Sequence, residues 1–206
     1  MMTNTAQQQN GVHPHLLMMW IYLVSMTMMF AGLTSALIVG RADHLDNASW
    51  RNFDLPTAFH FTTFIVLASS ATMHAAYMAA KRNRFPALRL FLWITTALGF
   101  VFLIGQWTGF RQLYASGVYF VDNTELLGTR FQVNNVSGSF LFVITGLHAL
   151  HVVGALIAAL VMMIRAIGYK INAQNMTGLK ITAIFWHALG VLWLYLYFFL
   201  NNIYGI

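Results

Sequence analysis

The chain contains no cysteine in 206 residues. That absence excludes disulfides, iron–sulfur clusters, thiolate zinc sites and cysteine nucleophiles. Charge is also scarce: 8% of residues are Asp, Glu, Lys or Arg, and only five are acidic. Those five are Asp43, Asp46, Asp54, Asp122 and Glu125, and none falls inside a long apolar run. A proton pump or cation-coupled transporter keeps a membrane-buried carboxylate as its relay or ion ligand, because an intramembrane charge is costly and is retained for function. The sequence therefore argues against that class.

What the chain has in abundance is apolar surface. Hydrophobic residues make up 59% and aromatics 15%, more than a soluble domain of this length can cover with a polar exterior. It reads as an integral membrane protein. Five runs approach or exceed the roughly 20 helical residues needed to cross a hydrocarbon core: Leu16 to Val39, Pro56 to Ala80, Leu88 to Phe110, Val136 to Ile164 and Leu179 to Asn202. The expected fold is an all-α bundle of five transmembrane helices over residues 16–206, preceded by a flexible, Gln-rich leader over residues 1–15. The leader lacks a basic n-region and a small-residue cleavage site, so it does not resemble a signal peptide.

Charge sets the expected orientation. Lys81, Arg82, Arg84, Arg89, Arg165, Lys170 and Lys180 flank the second and fourth connections with no acid among them, and all five acids lie on the opposite side. The positive-inside rule then places the amino terminus in the cytoplasm and the carboxy terminus outside. The net charge of +6 is spread through short loops, which fits membrane topology and not nucleic-acid binding. Trp50, Tyr114, Tyr119 and Tyr204 are expected to form an aromatic belt on the outer side.

Inside the spans the polar groups are imidazoles: His60 and His74 in the second, His148 and His151 in the fourth, His187 in the fifth. His148 and His151 are three residues apart and share a helix face, while Gly146 and Gly154 are eight apart and mark a stripe where another backbone can approach. This segment is expected to be a packing surface. His74 and His187 fall at matching depths, so a haem held between them is one reading. Hydrogen bonds to neighbouring helices are the more economical one. Gln106 with Trp107, and Arg41, are candidates for lipid head groups or for interfacial anchors. The small-residue runs Ser69-Ser70-Ala71-Thr72 and Ala31-Gly32-Leu33-Thr34-Ser35-Ala36 suit close helix packing.

The run Thr145-Gly146-Leu147-His148-Ala149-Leu150-His151-Val152 resembles the T-G-x-H-x-x-H-V part of the signature of subunit III of the haem–copper oxidases, with Gly154 one residue earlier than that signature's closing glycine. Phe185-Trp186-His187 with Val191-Leu192-Trp193 resembles that family's last helix. Leu98-Gly99-Phe100 with Gln106, and Leu67-Ala68-Ser69-Ser70 with Met73-His74, resemble two earlier ones. The resemblance is to the five-helix form, as in quinol oxidases, where subunit I supplies the two further helices that seven-helix members carry themselves. It implies a non-catalytic subunit, with no catalytic, metal or cofactor-binding residue of its own, in a bacterial inner (plasma) membrane. Haem and copper are expected in partner subunits, and phospholipid is expected to be held beside subunit I. The sequence departs from the family at Met26, Gly109 and Gly190, where carboxylates are often found. Two alternatives stand beside this reading: a small b-type cytochrome using His74 and His187, and a subunit III homologue serving nitric oxide reductase.

Overall fold

The computed structural model describes residues 14–44, 57–116, 125–126, 129–130, 136–168, 171 and 176–204. Five long helices occupy nearly all of them: α1 (Pro14–His44), α2 (Thr57–Lys81), α3 (Phe85–Ala115), α4 (Val136–Ile167) and α5 (Thr177–Tyr204). All five are long and apolar enough to cross a membrane, so the chain is a multi-pass membrane protein. The helices run past the apolar cores that mark them in sequence. Hydropathy reports the span, whereas backbone hydrogen bonding continues into the polar flanks. Most of the leader lies outside the described residues, but α1 already begins at Pro14. A two-residue antiparallel pair, β1 (Glu125–Leu126) with β2 (Thr129–Arg130), interrupts the long connection between α3 and α4. Trp50 and Tyr119 lie outside the described residues.

Local chemistry fixes where helices start and stop. The chain's three prolines avoid every helix interior: Pro14 opens α1, Pro56 directly precedes α2, and Pro86 stands in the first turn of α3. Proline lacks the N–H that an interior turn requires but a first turn does not. The α2–α3 connection is a tight reversal. Asn83 adopts φ 52°, the left-handed region that asparagine tolerates better than other side-chain-bearing residues. Its N–H donates to Ala80 O at 3.0 Å and the Arg84 N–H to Ala79 O at 2.9 Å, the pairing of a Schellman motif. Arg89 then reaches from α3 to the end of α4, its Nε donating to Ala166 O at 3.1 Å and its Nη2 to Ile167 O at 3.3 Å. A cation there satisfies terminal carbonyls and suits the negative end of the helix dipole.

Helices α2, α3, α4 and α5 close a four-membered ring in which each packs on its two neighbours. Among the described residues α1 contacts only α4 and α5, so it leans against one side of the ring. The core is the ring's interior, built from fully buried Phe59, Leu92, Leu141, Ile144, Trp193 and Leu196. Large apolar side chains such as Met28, Phe64, Ile104 and Val191 project outward, as expected where lipid takes the place of water.

Candidate functional site

The interior is organised around Trp193 of α5. Its ring meets Phe102 of α3 at 5.2 Å and 89°, Phe59 of α2 at 5.8 Å and 87°, and the His148 imidazole of α4 at 5.0 Å and 38°. The first two are edge-to-face contacts, which the ring quadrupoles favour. Trp193 Nε1 donates to Thr63 Oγ1 at 3.1 Å, so the one polar atom of this buried indole is satisfied.

That bond belongs to a seam. Helices α2 and α5 run antiparallel and are joined along their length by His60 Nδ1 with the Tyr197 hydroxyl, by Trp193 with Thr63, by Trp186 Nε1 donating to Ser69 Oγ at 3.2 Å, and by Ser70 Oγ with His187 Nδ1 at 2.5 Å. Ser69-Ser70 thus has the close-packing role its small side chains suggest, with indole and imidazole partners in addition. A repeat could have exposed the two indole bonds of the seam in the sequence. Thr62-Thr63 and Ser69-Ser70 are seven residues apart, as are Trp186 and Trp193, and a seven-residue spacing keeps side chains on one helix seam.

His148 and His151 have different surroundings. His148 is 1% exposed and its Nε2 donates to Leu189 O of α5 at 3.1 Å. His151 is half-buried, bonds Leu147 O of its own helix through Nδ1 at 2.7 Å, and faces Tyr22 and Phe30 of α1. A three-residue step turns a helix by about 300°, leaving the two side chains about 60° apart. That offset turns His151 toward α1 and His148 into the ring, where it keeps one edge contact with α1 through Phe30 at 6.4 Å.

The close crossings lie elsewhere than the sequence suggests. A Cβ added at Gly146 or Gly154 meets nothing within 4 Å, so neither glycine marks a helix crossing among the described residues. The glycines that do are on α3. A Cβ at Gly105 would stand 2.3 Å from Thr62 Cγ2, one at Gly109 2.5 Å from Phe59 Cε1, and one at Gly99 2.8 Å from both Leu156 Cδ2 and Trp186 Cη2. Gly105-Gln106-Trp107-Thr108-Gly109 is a small-xxx-small motif, and that signal was available in the sequence. Gln106 sits on the same α2-facing seam, 2% exposed, with Nε2 donating to Thr62 Oγ1 at 3.2 Å. It is an interhelical bond inside the bundle and not a lipid ligand at the surface. Trp107, next to it, is 68% exposed and faces outward. Arg41 is partly buried near the end of α1. Tyr204, expected in the aromatic belt, is instead buried, its hydroxyl donating to Ser137 O at 2.6 Å.

Two of the concavities that open to the outside share a lining residue. One is a groove of about 670 Å³ between α1 and α5, lined by Trp20, Leu23, Met26, Phe30, Val191 and Tyr195 among others, with His187 at its edge. The second, about 220 Å³, lies between α2 and α5 and is lined by His74, Tyr77, Lys180 and His187. His187 borders both. The His74 and His187 rings are 6.2 Å apart and tilted by 52°. Among the described residues no three histidines, cysteines or carboxylates gather as a metal-ligand group.

An interhelical polar seam, a T-G-x-H-x-x-H segment whose His148 lies inside the ring, and a side groove beside α1 occur in a chain whose residues 4–205 match the family model for cytochrome c oxidase subunit III. The chain belongs to that family. Relatives agree along nearly the full length. Subunit 3 of cytochrome c oxidase from Thermostichus vulcanus is 31% identical over 202 residues, covering 94% of this chain and 91% of that one. The corresponding proteins of Corynebacterium diphtheriae and Alkalihalophilus pseudofirmus are 28% and 30% identical, each over 181 residues and 86% of this chain. Membership decides between an oxidase subunit and a small b-type cytochrome: the chain is a subunit III of a haem–copper oxidase. It also gives the departures from the subunit III pattern a structural meaning. At Gly109 the space a side chain needs is occupied by Phe59, and at Gly190 a Cβ would already stand 3.3 Å from Val66 Cγ1. Met26 is 4% exposed and lines the groove. The packing leaves no room for a carboxylate at Gly109 and little at Gly190.

Proposed function

We propose that this subunit packs beside subunit I in a bacterial inner membrane, amino terminus in the cytoplasm, and that it protects subunit I during turnover by holding phospholipid at the α1–α5 groove. The groove carries the reading. It is long and apolar between Leu23, Met26 and Val191, and at His187 it adjoins the pocket that contains Lys180, His74 and Tyr77. An acyl chain suits the first surface. A phosphate suits the second, where an ammonium, a phenol and two imidazoles converge and where the basic-loop asymmetry places Lys180 on the cytoplasmic side. Haem and copper belong to the partner subunits in this reading, and nothing in this chain takes part in oxygen reduction.

The experiment compares oxidase purified with and without the subunit, recording activity against cumulative turnover. Depletion should leave the haem spectrum and initial rate largely intact and shorten the number of turnovers before inactivation. Met26→Trp, which narrows the groove, should reproduce part of that loss and lower the phospholipid retained per complex. Unchanged endurance would remove the protective role, and an immediate fall in the initial rate would place the subunit in catalysis itself.

A further inference from the structure

The ring of α2, α3, α4 and α5 leaves a small cavity of about 30 Å³ at its centre, bounded by Ser69, Val66, Phe102, His148, Trp186 and Gly190 among others. Two observations give that space a polar purpose. The first is His148, which is 1% exposed. Its Nε2 faces the Leu189 carbonyl at 3.1 Å, and a carbonyl oxygen only accepts, so Nε2 carries the proton. In the neutral ring Nδ1 is then an acceptor. This atom is buried and has no hydrogen-bond partner among the described residues.

The second is Ser69, which also lines the cavity. Its hydroxyl donates to Val66 O at 2.8 Å and accepts from Trp186 Nε1 at 3.2 Å. A hydroxyl oxygen has two lone pairs, so one acceptor position remains open. The cavity therefore has two unfilled acceptors among its lining residues and needs a guest with two donors. It exceeds the roughly 10–15 Å³ that a single water requires.

We propose that one ordered water occupies this cavity, donating one hydrogen to His148 Nδ1 and the other to Ser69 Oγ. Water is the smallest molecule that supplies two donors at hydrogen-bonding distance, and buried waters characteristically bridge polar groups that the fold leaves unpaired. It completes a junction in which Leu189 and Trp186 of α5, Ser69 of α2 and His148 of α4 are tied by a continuous set of hydrogen bonds. It also holds the His148 ring in one tautomer and orientation. The inference concerns this interior site alone and does not depend on lipid occupying the outer groove.

The test is a map of the assembled oxidase resolved well enough to show buried waters elsewhere in the complex. The expected result is one peak at hydrogen-bonding distance, about 2.8 Å, from both His148 Nδ1 and Ser69 Oγ. His148→Phe should lose the peak, and Ser69→Ala should lose or displace it. A wild-type map with well-ordered waters elsewhere and no density here would overturn the proposal. So would a dry cavity that takes up xenon under pressure, since the rest of the lining is apolar enough to hold an inert gas. If either variant fails to assemble, the wild-type map decides alone.

Discussion

Substituting Gly105 by alanine adds one carbon to α3, and that carbon would lie 2.3 Å from Thr62 Cγ2. The threonine cannot simply turn away. Its Oγ1 donates to Phe59 O at 3.1 Å and accepts from Gln106 Nε2 at 3.2 Å, so rotating the methyl breaks a bond to the Gln106 side chain inside the bundle. The alternative is that α2 and α3 move apart along their seam. Overpacking of this kind costs about 1–3 kcal/mol, while replacing a helical glycine by alanine returns about 0.5–1 kcal/mol through backbone entropy. The net destabilisation is about 0–2.5 kcal/mol, at most about a seventyfold fall in the folded ratio. Gly146→Ala and Gly154→Ala are the controls, because an added Cβ there meets nothing within 4 Å and only the entropic gain applies inside this chain. The assay is denaturant stability of the subunit in the purified oxidase, with its retention beside a tagged subunit I measured in parallel. If Gly105→Ala proves as stable as Gly146→Ala, the close crossing between α2 and α3 is not where stability is decided, and the reasoning fails.

Trp193→Phe removes the bond to Thr63 but keeps most ring contacts, and should cost about 1 kcal/mol. Trp193→Ala should cost about 3–5 kcal/mol, both read from the same denaturation curves. At Asn83, with φ 52°, glycine should be tolerated and valine should lose about 1–2 kcal/mol. Equal stability of the two variants would argue against a left-handed reversal there. Cysteines introduced at Asn83 and Ser116 into the naturally cysteine-free chain should label from the cytoplasm and from the outside respectively, and the reverse pattern would overturn the proposed orientation.

The spans were legible because hydropathy and helix length are properties of a segment by itself. Which face of a helix meets which neighbour is not such a property. Gly146 and Gly154 share a stripe by spacing, yet spacing says nothing of what stands opposite, and among the described residues nothing does within 4 Å of an added Cβ. Gly105 and Gly109 satisfy the same pattern at a shorter period, and α2 stands opposite both, through Thr62 and Phe59. Gln106 shows the same limit. Its place near a span end suited a surface ligand, but its direction around the helix puts it on the α2 seam, and only the packed ring determines that direction. His148 and His151 were recognisable as a motif, whereas their division between α5 and α1 depends on the bundle around them.

The antiparallel seam between α2 and α5 also bears on how the chain is made. Its two halves are 117 to 137 residues apart in sequence, and α2 is the least apolar of the five spans. At ribosomal rates of about 5–20 residues per second, α2 waits roughly 6–25 s for its partner. During that interval most of its hydroxyl hydrogens need no partner, since Thr62 and Thr63 donate to Phe59 O, Ser69 to Val66 O and Thr72 to Ser69 O within the helix itself. What stays open is lone pairs, and the indoles of α5 bring the N–H groups that fill them. The nascent helix can therefore enter the bilayer with most of its hydroxyl donors already satisfied, and the late arrival of α5 completes it without undoing any of those bonds.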